Sequence, residues 1–221
     1  MNATGDPVDV STPAATLANM DAIREYLVKA DPTLELPLSE STLDWDRFVK
    51  TPFVAVVGAI VGRVVRYGRA RTVRERMYDH LGGVSFGADE LGVLLKDEAR
   101  CRAIGLSGTA VATLDGLCAH VARHGHPSTA DDVRRLRLDV EGIGQWVVDS
   151  ALLTSLLDAD VFPSGDKWIR RKMADLAGLT REPTPKEATA MAAVWSPYRG
   201  VAAAYLWRWF SERESKALGL D

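Results

Sequence analysis

Residues 51–65, "TPFVAVVGAIVGRVV", constrain the fold more than any other stretch. Thr51-Pro52 is a helix-start signal. The residues after it are apolar all the way round instead of along one stripe. Such a helix has no face to offer water, so it needs neighbours on every side. The chain, at 221 residues, is long enough to provide them as one large domain or two small lobes.

The neighbours are legible as helices too. Leu17, Met20, Ile23 and Leu27 recur at helical spacing after "STPAA", and Val73, Met77 and Leu81 mark a helix closed by Gly82-Gly83. Val111, Leu114, Leu117, Cys118 and Val121 form a stripe that Gly125 ends. Ser128 or Thr129 can cap "ADDVRRLR", and Thr184-Pro185 opens "KEATAMAAVW". No convincing alternating strand interrupts them. The expected class is all-α, with about ten helices.

Composition narrows function by exclusion. No run of 18 apolar residues exists to span a membrane. The first twenty residues lack a basic region followed by an apolar core, so a secretory signal is not expected and a cytoplasmic protein is. Cys101 and Cys118 have no partnering Cys or His pattern; they read as reduced thiols, too few for an iron–sulfur cluster. The net charge is -3, but it is unevenly spread. Residues 1–48 carry nine acids against three bases, leaving the rest net basic, and six arginines fall between Arg63 and Arg76 with one acid, Glu75. An acidic helical segment, 1–46, is therefore expected ahead of a body, 47–221, that can meet a polyanion. Arg63, Arg66 and Arg74 would share one side if that stretch were one continuous helix facing DNA. His120, His124 and His126 show no metal-like spacing.

Two features carry chemistry. In "LRLDVEGIGQWVVDSALL", Gly142-Ile143-Gly144 makes a tight turn between helical patterns, where the backbone can come close to another surface. The unpaired N–H groups of the following helix suit a phosphate oxygen, although a plain connection between packed helices has the same pattern. In "VFPSGDKWIRRKM", Asp166 precedes a helix with the inward stripe Ile169, Met173, Leu176, so it is a natural N-cap. The dipole and N–H bonds of that helix would also hold the carboxylate charged and fixed in direction, as needed to stabilise a developing sugar cation.

Together these segments resemble the helix-hairpin-helix DNA glycosylase superfamily, nearest its 3-methyladenine branch. "VEGIGQWVV" followed by "DVFPSGDKWIRR" is similar to that branch's "LPGIGxWTA" and "DVFPxxDxxIRR". "FVAVVGAIVGRVV", "GLSGTAVATLDGLCAHV" and "WSPYRGVAAAYLWRWF" match three further segments in the family's order.

The resemblance implies two helical lobes with a cleft between them, and Asp166 as the catalytic aspartate. It implies Trp146 and Trp207, with Tyr198 as a weaker candidate, as walls for an extruded base. Gly142, Ile143, Gly144 and Gln145 would contact the DNA backbone, with Arg63 and Val64 as the wedge that fills the vacated stack and Arg66 and Arg74 as a basic face. Bifunctional members carry a Schiff-base lysine where Trp146 stands, so base excision without strand cleavage is implied. An alkylated purine in duplex DNA is the expected substrate and a monomer the expected state. No cofactor or metal is expected beyond, at most, a monovalent cation at the hairpin. Glu141 replaces the proline before the hairpin, Val148 a small residue, Ser150 and Lys167 pocket tyrosines, and "GRVVR" a glutamine-bearing wedge. These departures keep open a mismatched, oxidised or hypermodified base, and a non-catalytic lesion-sensing protein.

Overall fold

The computed structural model describes residues 8–43, 50–63 and 67–218, with side chains omitted at 67, 68, 212 and 214–218. Thirteen α-helices and no strand occur among them. In chain order they are α1 (Pro13–Ala18), α2 (Met20–Ala30), α3 (Glu35–Glu40), α4 (Pro52–Arg63), α5 (Tyr67–His80), α6 (Ala88–Leu95) and α7 (Glu98–Ile104). Then follow α8 (Gly108–His124), α9 (Ala130–Asp139), α10 (Gln145–Leu156), α11 (Lys167–Leu176), α12 (Pro185–Met191) and α13 (Arg199–Leu218). The all-α expectation holds. The count exceeds the roughly ten expected because several helices are only six to eight residues long, too short to show a periodic stripe.

Two compact units divide the chain. One is contiguous, Val49–Leu156; the other joins Met1–Phe48 to Leu157–Asp221. The acidic N-terminal segment thus shares a unit with the C-terminal third.

The contiguous unit is built on α4. Every residue from Phe53 to Val61 is buried, against α10, α5 and α8. This is the outcome its all-round apolarity requires. Local signals stop and start its other helices. Ser107 caps α8 through the Ala110 N–H, Gly125 ends it at φ 83°, and Thr129 with Asp132 forms a capping box on α9. Arg74 lies against Gly62 and Tyr78 against Gly58, so α5 runs back antiparallel to α4. Arg63 and Arg74 therefore do not share one side of a continuous helix, which corrects the sequence expectation. The two free thiols lie in this unit; burial, then the Asp115 and Asp89 charges, push Cys118 up to about 11.

The discontinuous unit brings distant segments together through α13. Its residues Val201 to Leu206 are buried, and α3 and α11 pack on it. Polar ties fix the register: Trp195 Nε1 donates to Asp31 Oδ2 at 2.8 Å, and Trp209 Nε1 to Glu40 Oε2 at 2.8 Å. Arg199 grips Asp160 with two bonds of 2.8 and 2.7 Å. Gly200 must be bare, because a Cβ there would strike the carbonyls of Asp158 and Ala159.

Candidate active site and nucleic-acid interface

Asp166 is the N-cap of α11. Its Oδ1 accepts from the N–H groups of Trp168 (2.8 Å) and Ile169 (3.0 Å), and its own N–H donates to Pro163 C=O at 2.8 Å. The carboxylate is thus held by the helix N–H groups and its backbone by the turn before it, and the residue is 6% exposed. Ile169 and Met173 bury the inner face of α11 against its own unit, as their spacing predicts.

One residue that sequence reasoning missed braces this turn. Arg170 Nη1 donates to Ser164 C=O at 3.0 Å and Nη2 to Glu182 Oε1 at 2.7 Å. It ties the loop before Asp166 to the loop before α12. Its place four residues after the cap, on the same helix face, was the available signal. Trp168, next to the cap, stacks on Phe210 with ring centroids 4.8 Å apart.

The aromatic candidates separate. Trp207, on α13, is half-buried, as is Trp146 in the first turn of α10. Tyr198 is fully buried; its hydroxyl accepts from the Val8 N–H at 2.8 Å and its ring meets Tyr26 edge-on at 5.0 Å. It is a core residue holding the N-terminal segment, which removes it from the set of base-contacting walls.

The hairpin forms as its glycines predict. Gly142 takes φ 87°, a conformation that favours glycine, and the Thr113 side chain occupies the space a Cβ would need. Ile143 is buried beneath the turn, and α10 begins at Gln145. Glu141 is exposed beside it. Gln145 is engaged internally: its Oε1 accepts from Arg137 Nη1 at 2.8 Å, and its Nε2 donates to the buried Asp149 at 2.7 Å. That bridge, too, escaped the sequence reading. Arg63 Nη1 stands 3.8 Å from where a Cβ on Gly144 would sit, so this cation accompanies the hairpin. Val64 and Arg66 lie outside the described residues. Lys167 is exposed and Ser150 buried. Among the described residues no cluster of three His, Cys, Asp or Glu is placed to hold a metal.

No family model matches the chain. A solved structure of the Schizosaccharomyces pombe 3-methyladenine DNA glycosylase in complex with abasic DNA superposes with a TM-score of 0.74. It is 21% identical and covers 88% of this chain and 97% of that one. The DNA-3-methyladenine glycosylase 1 of the same yeast is 33% identical over 103 residues, 47% of this chain and 45% of that protein. The likeness shows that the chain has the fold of these DNA glycosylases. Several of the relatives it matches in part carry the name DNA-3-methyladenine glycosylase. The fold itself is broader: the Clostridium acetobutylicum 8-oxoguanine glycosylase/lyase, solved with duplex DNA, superposes with a TM-score of 0.68 at 16% identity over 97% of this chain and 75% of that one. The matched segment spans less than half the length of the curated relatives, 45% at most.

Proposed function

We propose that this glycosylase-fold protein is a monofunctional DNA N-glycosylase that removes an alkylated purine from duplex DNA, the first step of base excision repair. The observation that carries the reading is Asp166, held by two helix N–H groups at the start of α11 in the motif position where the superfamily has its aspartate.

The chemistry follows from that placement. Bond breaking between C1′ and the base nitrogen leaves the electron pair on the base and positive charge on the sugar. A fixed carboxylate stabilises that charge, with the helix amides preventing its reorientation. Water then bonds to C1′ and gives up a proton, to solvent where a cationic base has departed neutral, or to the departing base where a neutral one leaves as an anion. Trp146 fills the position of the Schiff-base lysine, so no amine attacks the sugar and the strand stays intact. Trp207, in the unit that carries Asp166, and Trp146, in the contiguous unit, each offer a half-buried ring on which a base could stack. The hairpin amides, with Arg63 beside them, suit a backbone phosphate, with at most a monovalent cation there and no other cofactor. The protein would act as a monomer wherever the DNA lies, in the cytoplasm and on the nucleoid if the cell is prokaryotic. The exposed Glu141 at the hairpin favours the second reading, a lesion-binding protein without catalysis.

Duplexes carrying alkylated, oxidised and mismatched bases, incubated with the protein and treated with alkali, separate these readings. Strand breaks at alkylated purines support the proposal. Breaks only at a non-alkylated base replace its substrate, and lesion binding with no breaks leaves the sensor.

A further inference from the structure

α4 carries two bare positions on one side, Gly58 and Gly62. Side chains of α5 fill them. Tyr78 Oη comes within 2.7 Å of where a Cβ on Gly58 would sit, and Arg74 Nη1 within 2.8 Å of the equivalent point on Gly62. A methyl at Gly62 would displace the guanidinium, so glycine is what admits it. Trp146 Cη2 stands 3.6 Å from that same point. A guanidinium and the outer edge of an indole therefore share the gap that Gly62 leaves.

Arg74 is half-buried there, and among the described residues no carboxylate bonds to it. Glu75, the acid beside it in sequence, pairs instead with Arg71 at 2.8 Å. A second cation lies nearby: burial, then the Arg74 charge, push the Lys50 ammonium below its ordinary value. Arginine stays protonated throughout the accessible pH range. A half-buried positive charge to which no described carboxylate bonds is unfavourable in ordinary packing, which makes its placement beside Trp146 informative.

We propose that Arg74 is a specificity-determining residue that sets the charge of the base accepted against Trp146, favouring neutral alkylated purines over purines made cationic by N-alkylation. This deepens the glycosylase reading and rests on Trp146 being a stacking wall. Stacking a cation on indole is favourable. A fixed like charge at the edge of the same ring opposes it, in a half-buried setting where screening is weak. That repulsion amounts to roughly tenfold or more in discrimination. A neutral base meets none of it and offers ring nitrogens as acceptors to the guanidinium fork.

The test compares excision kcat/KM on duplexes with neutral ethenoadenine and with cationic N7-methylguanine, for wild type, Arg74→Met, Arg74→Lys and Gly62→Ala. Wild type should favour the neutral base. Arg74→Met should lower the neutral-to-cationic ratio by about tenfold or more, and Arg74→Lys should retain most of it. Gly62→Ala displaces the guanidinium without deleting it and should shift the ratio the same way. Loosened packing alone would reduce both rates together and leave the ratio unmoved. Affinities of Asp166→Asn protein for the two duplexes, with and without Arg74→Met, read the same discrimination without turnover. If wild type releases neither base yet the binding ratio depends on Arg74, the glycosylase reading fails and this inference stands. A ratio that neither Arg74→Met nor Gly62→Ala alters in either readout overturns it, as does a wild-type preference for the methylated cation.

Discussion

The two units solve the same packing problem with different means. The contiguous unit, Val49–Leu156, wraps short helices around an apolar α4 and lets turns set the register. The other unit joins segments more than a hundred residues apart in sequence and fixes them with directional polar pairs, Trp195 on Asp31 and Trp209 on Glu40, while Arg199 on Asp160 ties the loop before α11 to the start of α13. Apolar burial does not specify one registry among several, whereas an indole N–H that must reach a carboxylate does. Arg63 and Arg74, to which no described carboxylate bonds, both lie in the contiguous unit; Arg63 is the exposed one, beside the hairpin, where a polyanion can reach it.

That contrast can be broken from either side. Ile60→Ala hollows the core of the contiguous unit and should cost about 2–5 kcal/mol in urea unfolding, with little dependence on pH. Gly142→Ala forces a Cβ onto Thr113 and strains a positive φ; a loss of about 1–3 kcal/mol and weakened duplex binding are expected.

Asp160→Asn acts on the polar unit and should cost about 1 kcal/mol, since the pair is roughly one-third exposed and screened. Burial raises the Asp160 carboxyl, but the Arg199 hydrogen bonds outweigh it and leave the group below its ordinary value. Its stabilisation is therefore present above the unfolded carboxylate value and lost as pH falls through the folded one. The gap between wild type and Asp160→Asn should begin to narrow as the solution is acidified below about pH 4 and close below the lowered folded value; a gap that does not narrow with acidification would deny the pair its role. Smallest is Glu141→Gln, which removes one exposed negative charge beside the hairpin. Duplex affinity should rise a few-fold at low salt and the gain should fade at high salt.

Much of this was legible in the chain, because local chemistry dictated it. The all-round apolarity of Phe53–Val61 demanded burial, Gly125 demanded a helix end, and an aspartate two and three residues before N–H groups of an apolar-striped helix demanded a cap. What escaped depended on chain reversal. The arginine run read as one helical face, yet α5 folds back on α4 and lays Arg74 into the Gly62 gap. The spacing of Gly58 and Gly62 hinted at a close approach but named no partner. Tyr198 likewise read as a wall, because nothing in "WSPYRG" shows that the N-terminal segment returns to cover it. Gln145 read as a backbone contact, and the carboxylate that engages it sits one helical turn further on.

If one carboxylate both caps α11 and drives bond cleavage, removing its charge alone must stop the chemistry and spare the fold. Asparagine caps a helix about as well as aspartate, so Asp166→Asn removes the charge and leaves the cap. Single-turnover excision by this variant, measured on the best-released base alongside duplex affinity and thermal unfolding, tests the claim most directly. The rate should fall by about a hundredfold or more while affinity and unfolding stay near wild type. An excision rate within a few-fold of wild type would show that Asp166 is a cap and nothing more.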